Sequence, residues 1–121
     1  MPNRGKIFSL KIDESLKRIG IISDTHGYMD ERILHHLKDC DEIWHAGDIG
    51  SISLAAKLAD FKPFRAVYGN IDSFPVRGEY KEHLRFTCEG LKVWLTHIAG
   101  KPNKYPPNVH TQLEMDPPDI L

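Results

Sequence analysis

The sequence predicts an α/β domain built on parallel strands, and three observations predict it. Strand-like and helix-like segments alternate from Ile19 to Tyr68 in the order strand, helix, strand, helix, strand. Alternation over so short a span requires parallel strands joined by crossover helices. Each strand-like run ends in a polar cluster that contains glycine, as strands do when they deliver functional side chains at their carboxyl ends. The chain has 121 residues, 40% hydrophobic and 27% charged, which suits one globular domain with an ordinary core.

Residues 1–17 are weakly patterned and read as an N-terminal extension, either an edge strand, a tether or residues foreign to the domain; the domain proper is expected over 18–121. Ile19-Gly20-Ile21-Ile22-Ser23 is a short apolar run, β-branched at three positions, and predicts a buried strand. Asp30 is placed to cap a helix whose apolar positions Ile33, Leu34 and Leu37 fall at helical spacing. Glu42 to Ala46 predicts a second strand, and Ser53 to Phe61 a second helix with Leu54, Ala55 and Leu58 on one side. Pro63 ends that helix. Phe64 to Tyr68 predicts a third strand running into Gly69-Asn70. His83–Cys88 and Leu91–Thr96 then predict two strands joined as a hairpin by Glu89-Gly90. From Gly100 the chain becomes rich in proline and polar residues.

A formal net charge of −1 supplies no field to gather nucleic acid or an anionic membrane. Cys40 and Cys88 share no motif, so they are expected as free, partly buried thiols in a reducing compartment. No stretch approaches the roughly 18 apolar residues of a membrane span, and Met1–Leu10 has no sustained apolar run that would suit a signal peptide. A cytoplasmic location is the expectation.

Seven histidines are many for this length, and histidine is the commonest metal ligand. Four strand ends carry chemistry of one kind: Asp24-Thr25-His26-Gly27, Gly47-Asp48, Gly69-Asn70-Ile71-Asp72 and Thr96-His97. Carboxyl ends of parallel strands gather along one edge, which can bring Asp24, His26, Asp48, Asn70 and His97 together. Carboxylate oxygen with imidazole nitrogen favours Mn²⁺, Fe²⁺, Zn²⁺ or Co²⁺ over Ca²⁺. Asp24 and His26, two apart, can point the same way from an extended turn. One carboxylate such as Asp48 can bridge two metals, and the neutral amide of Asn70 limits the negative charge facing a phosphate. Gly27, Gly47 and Gly69 allow tight turns and close approach. His35 and His36 on a helix, His83 at a strand start and His110 in the proline-rich segment are expected in solvent. His45, inside the second strand, is expected to pack or to support a ligand.

These four blocks in this order resemble the successive signatures of the calcineurin-like metallophosphoesterases. The run Ile19–Gly27 and the short spacings are similar to the small bacterial and archaeal phosphodiesterase branch, and the retromer scaffold subunit shares that fold. The resemblance runs from about Lys17 to the C-terminus. It implies an αββα sandwich of two mixed β-sheets flanked by helices, with metals at one edge. It also implies that Asp24 and His26 bind one metal, that Asn70 and His97 bind a second, and that Asp48 bridges, with Asp48, Asn70 and His97 nearest the chemistry. The implied cofactors are two divalent ions, Mn²⁺ first, then Zn²⁺, Fe²⁺, Ni²⁺ or Mg²⁺. The implied reaction is attack of a bridging water or hydroxide on a small-molecule phosphate ester, with the metals about 3.5–4 Å apart. Many relatives place a histidine after the asparagine; Ile71 stands there and offers no proton, which favours good leaving groups such as aryl phosphodiesters.

The family pattern closes with a Gly-His-x-His block after one more strand, and no such block occurs before Leu121. The expectation is therefore a domain whose last strands are missing, with weakened metal binding and an open sheet edge suited to homo-oligomer formation. A non-catalytic binding scaffold on the same fold is the alternative. A Rossmann-type nucleotide binder is disfavoured because no Gly-x-Gly-x-x-Gly turn follows the first strand.

Overall fold

Apolar side chains alternate along the strands, and that alternation sorts the domain into layers. The computed structural model describes residues 4–12 and 15–121, with side chains from residue 17 onward. Strands β1 (Arg4–Ile12) and β2 (Ser15–Ser23) pair antiparallel, from Arg4 opposite Ser23 to Ile12 opposite Ser15. β3 (Glu42–His45) pairs parallel with β2, and β4 (Phe64–Ala66) pairs parallel with β3. The sheet order is β1-β2-β3-β4, a mixed sheet with a parallel centre.

Helix α1 (Glu31–Leu37) makes the first crossover and starts where Asp30 accepts the Arg32 backbone N–H. Helix α2 (Ile52–Phe61) makes the second, with Ser51 accepting from the Leu54 N–H. Leu37, Leu54, Ala55 and Leu58 pack with Ile22, Ile43, Ile49 and Ala66 in a core on one face of the sheet. On the opposite face Ile19, Trp44 and Val67 meet Cys88, Val93 and Leu95. Those last three come from the hairpin of β5 (His83–Cys88) and β6 (Leu91–Thr96). Its turn residues Glu89 and Gly90 both have positive φ, 51° and 81°, the conformation a two-residue turn between twisted strands requires. Trp44 joins the two sheets: its ring meets Phe86 edge-on at 4.9 Å between centroids. Its burial alone is worth roughly 2–3 kcal/mol.

Two helices appear where no regular element is predicted. α3 (Val76–Glu79) is a single turn, and α4 (Pro107–Met115) occupies the proline-rich segment. Pro107 is its first residue, where a missing N–H costs nothing because the helix has no partner for it. After α4 the chain returns to β6: Ile120 bridges Val93 in parallel, and the Trp94 N–H donates to the Ile120 carbonyl. Among the described residues, no helix is long and apolar enough to cross a membrane. Cys40 and Cys88 are free and buried, and burial pushes both thiols upward in pKa.

Candidate metal centre

Three loops at the carboxyl ends of β2, β3 and β4 are laced together by backbone hydrogen bonds. The N–H groups of Asp24, His26 and Gly27 donate to the carbonyls of Gly47, Asp48 and Ile49, so the first loop lies directly along the second. The expected extended turn at Asp24–His26 is not what forms. Asp24, His26 and Asp48 adopt left-handed backbone, with φ of 56°, 50° and 58°. Such conformations are costly outside glycine and persist where surrounding bonds over-determine them. Two glycines make the fit possible. A Cβ on Gly47 would sit 2.8 Å from the His97 ring, and one on Gly69 would sit 2.1 Å from Asp48 Oδ1.

The five sequence-predicted residues converge at this edge. Ligand atoms of Asp24, Asp48 and His97 lie within 4.8 Å of one another. His97 Nε2 is 3.0 Å from Asn70 Oδ1 and 3.3 Å from Asp48 Oδ2. His26 stands further out and is partly exposed, its Nε2 4.0 Å from Asp48 Oδ2. His97 reaches the site from the second sheet, not from the parallel one. Its Nδ1–H donates to the Ala46 carbonyl at 2.8 Å, which fixes the tautomer and turns Nε2 toward Asp48 and Asn70.

That arrangement tests whether a cation fits. A ring nitrogen lone pair, a carboxylate oxygen and an amide oxygen converge, and acceptors crowd together favourably only around positive charge, either a proton on His97 or a metal ion. With Asp24 added, the set is mixed oxygen and nitrogen, the donor chemistry of borderline divalent cations. Burial by itself would raise the pKa of Asp24, but the Ser23 hydroxyl, the His97 and His26 rings and a hydrogen bond with Asp48 outweigh it. Asp24 is held below the usual carboxylate range and stays ionised.

Two supporting residues, Asp72 and Arg77, were given no role by the sequence. The buried Asp72 accepts from the N–H groups of Gly50, Ile49 and Gly69 at 2.8, 3.1 and 2.9 Å, so one carboxylate ties the second and third loops together. It was visible as the last residue of Gly69-Asn70-Ile71-Asp72, but its partners Ile49 and Gly50 lie 23 and 22 positions back. Arg77 donates to the carbonyls of Asp72, Gly69 and Asn70 while its guanidinium lies over the Tyr68 ring at 4.5 Å. No local signal marks it. His45, expected to pack or to support a ligand, is fully buried, accepts the Gly47 N–H at Nδ1, and lies 2.9 Å from Thr25 Oγ1 at Nε2. The Thr25 hydroxyl in turn donates a hydrogen bond to the Ile49 carbonyl, so the chain of bonds ties β3 to both loops. His110 is exposed on α4, 3.5 Å from Glu114 and away from the cluster.

Comparison with known proteins bears on the family and the fold. A probable metallophosphoesterase of Methanothermobacter thermautotrophicus is 32% identical over 84 residues, covering 65% of this chain and 48% of that protein. A conserved uncharacterised protein of Streptococcus pneumoniae, described as a predicted phosphoesterase, superposes over 96% of this chain and 59% of its own, with a TM-score of 0.55 and 20% identity. A single mutant of Vps29 from Entamoeba histolytica superposes over 84% of this chain and 61% of its own, with a TM-score of 0.63 and 15% identity. At those identities the two structures speak for the fold. The chain spans about half the length of the curated relative it matches, 48%. The family model of the calcineurin-like phosphoesterase superfamily domain matches residues 18–120, so the chain belongs to that superfamily.

Proposed function

We propose that this protein is a metal-dependent phosphoesterase, acting on phosphodiesters, with Asp24, His26, Asp48, Asn70 and His97 as ligands of two divalent ions and Asp48 between them. The observation that carries the reading is the approach of His97 Nε2 to both Asn70 Oδ1 and Asp48 Oδ2, at 3.0 and 3.3 Å, with Asp24 beside them. Mn²⁺ is the first candidate, ahead of Zn²⁺, Fe²⁺, Ni²⁺ and Mg²⁺. Bound there, divalent ions supply Lewis acidity toward phosphoryl oxygen and make water acidic enough to attack at neutral pH.

The chain's own residues set the rest. Ionised Asp24, with the Asp48 carboxyl beside it, attracts cations, while Asn70 contributes oxygen without charge and leaves the edge less repulsive to a phosphate. The Ala46 carbonyl keeps the His97 proton on Nδ1, so the ring offers Nε2 as a donor of electrons and not of a proton. Ile71, half-exposed beside Asn70, has no proton to give a departing alkoxide. Substrates whose leaving group departs unaided, such as aryl diesters, fit that lack. The test is hydrolysis of bis-(4-nitrophenyl) phosphate with and without Mn²⁺, together with metal content by elemental analysis. Mn²⁺-stimulated turnover that falls at least a hundredfold in Asp48→Ala is expected; turnover that survives the substitution sinks the assignment of Asp48.

A further inference from the structure

Beside the metal cluster a second feature is built into the same edge. A cavity of about 220 Å³ opens against Asn70 and His97, with Tyr68, Arg77, Glu82 and Ile98 around it. At roughly 30 Å³ per water molecule it holds about seven waters, the room for one ring system and its substituents. Arg77 is fixed within it: Nε and Nη2 are spent on the carbonyls of Asp72, Gly69 and Asn70, and the guanidinium plane rests on Tyr68 at 4.5 Å. A guanidinium held by its edges presents a flat surface, and a flat surface stacked on an aromatic ring recognises another flat group. Glu82 brings a carboxyl group into the same lining as Arg77, so the cavity is not a purely basic pocket of the kind a second phosphate would favour. Ile98, 65% exposed, adds an apolar wall.

We propose that this cavity is the subsite for one planar, ring-bearing ester substituent of the substrate, seated between the Arg77–Tyr68 stack and Ile98. The assignment rests on the phosphoesterase reading, because the cavity is placed to receive a substituent only if the phosphoryl group sits against the edge that carries Asn70 and His97. Arg77 then has two duties: it fixes the turn that carries Asn70, and it forms the floor against which the substituent lies.

Phenylphosphonate and methylphosphonate, titrated calorimetrically into the Mn²⁺-loaded protein, separate the ring from the phosphoryl group without requiring turnover. The wild-type protein is expected to bind phenylphosphonate about tenfold tighter, the scale of one good stacking contact. Ile98→Trp fills the cavity from an exposed position, and Tyr68→Ala removes the stack; either brings the ratio of affinities close to one. Should Tyr68→Ala fail to fold, Ile98→Trp alone decides. Equal affinity for the two phosphonates in the wild-type protein overturns the subsite and leaves the phosphoesterase reading standing. A preference that persists in Ile98→Trp also overturns it. Binding of neither phosphonate nor inorganic phosphate overturns both readings.

Discussion

A histidine with no exposure keeps its place as a neutral ring, and His45 shows what that requires. Burial lowers its pKa from 6.5 to about 4, against the opposing charges of Asp72 and Asp24. The unfolded chain binds the proton more readily than the folded one between those two values. Stability from this residue is therefore complete above about pH 6.5 and is lost as the pH falls toward 4. A shift of that size corresponds to roughly 3 kcal/mol. Urea unfolding at pH 7 and pH 5 should show the loss in the wild-type protein and a smaller one in His45→Gln; identical pH dependence in the two would refute the assignment. Gly69 makes a different point. Its missing Cβ leaves room for Asp48 Oδ1 and N, which would lie 2.1 and 2.4 Å away from one. Gly69→Ala is expected to cost about 2 kcal/mol and to weaken Mn²⁺ binding at least tenfold, read by unfolding and by metal titration. The sequence marked Gly69 as a turn glycine, but the atom that forbids a side chain comes from the neighbouring loop after β3.

At the scale of elements, the site depends on how the Asn70 turn is held between two opposite devices. Asp72 accepts N–H groups from within the turn and from the neighbouring loop, while Arg77 of α3 caps the turn's carbonyls. Asp72→Asn keeps the shape but replaces a charged acceptor of three N–H groups by a neutral amide that also carries two donors. A loss of roughly 1.5–3 kcal/mol is expected, together with weaker metal binding, because Asn70 and the Asp48 loop lose a common brace. If chemical denaturation and metal titration both leave Asp72→Asn indistinguishable from wild type, the bracing role is wrong. The elements themselves were legible to differing degrees. β5 and β6 coincide with the predicted runs, and α1 starts at its predicted cap, since alternation, capping and turn residues are local properties. Helix α4 was not legible, because Pro106 and Pro107 read as helix breakers when they stand at a helix start. One-turn α3 is too short for periodicity to register.

For the whole molecule, the three loops of the first sheet and the end of β6 meet only because the second sheet packs on the first. A divalent cation held among them binds the folded chain and not the unfolded one. At a hundred times its dissociation constant it should stabilise by about 2.7 kcal/mol, a rise in Tm of roughly 10 °C for a domain of this size. Calorimetry with Mn²⁺, Zn²⁺ or Ni²⁺, reversed by a chelator, reads this directly; no shift with any of them argues against a metal centre.

The alternation of strand and helix from Ile19 to Tyr68, the β5–β6 hairpin and the family were legible in the sequence alone, which also marked Asp24, His26, Asp48, Asn70 and His97 as candidate ligands. All are set by residue type and short-range spacing, and the family match over residues 18–120 agrees. What only the tertiary structure decided is how those residues are held: left-handed backbone at Asp24, His26 and Asp48, the brace of Asp72, the clamp of Arg77 and the arrival of His97 from the other sheet. Each of these depends on contacts that packing makes between segments far apart in the chain, or on a neighbour that local patterning does not reveal.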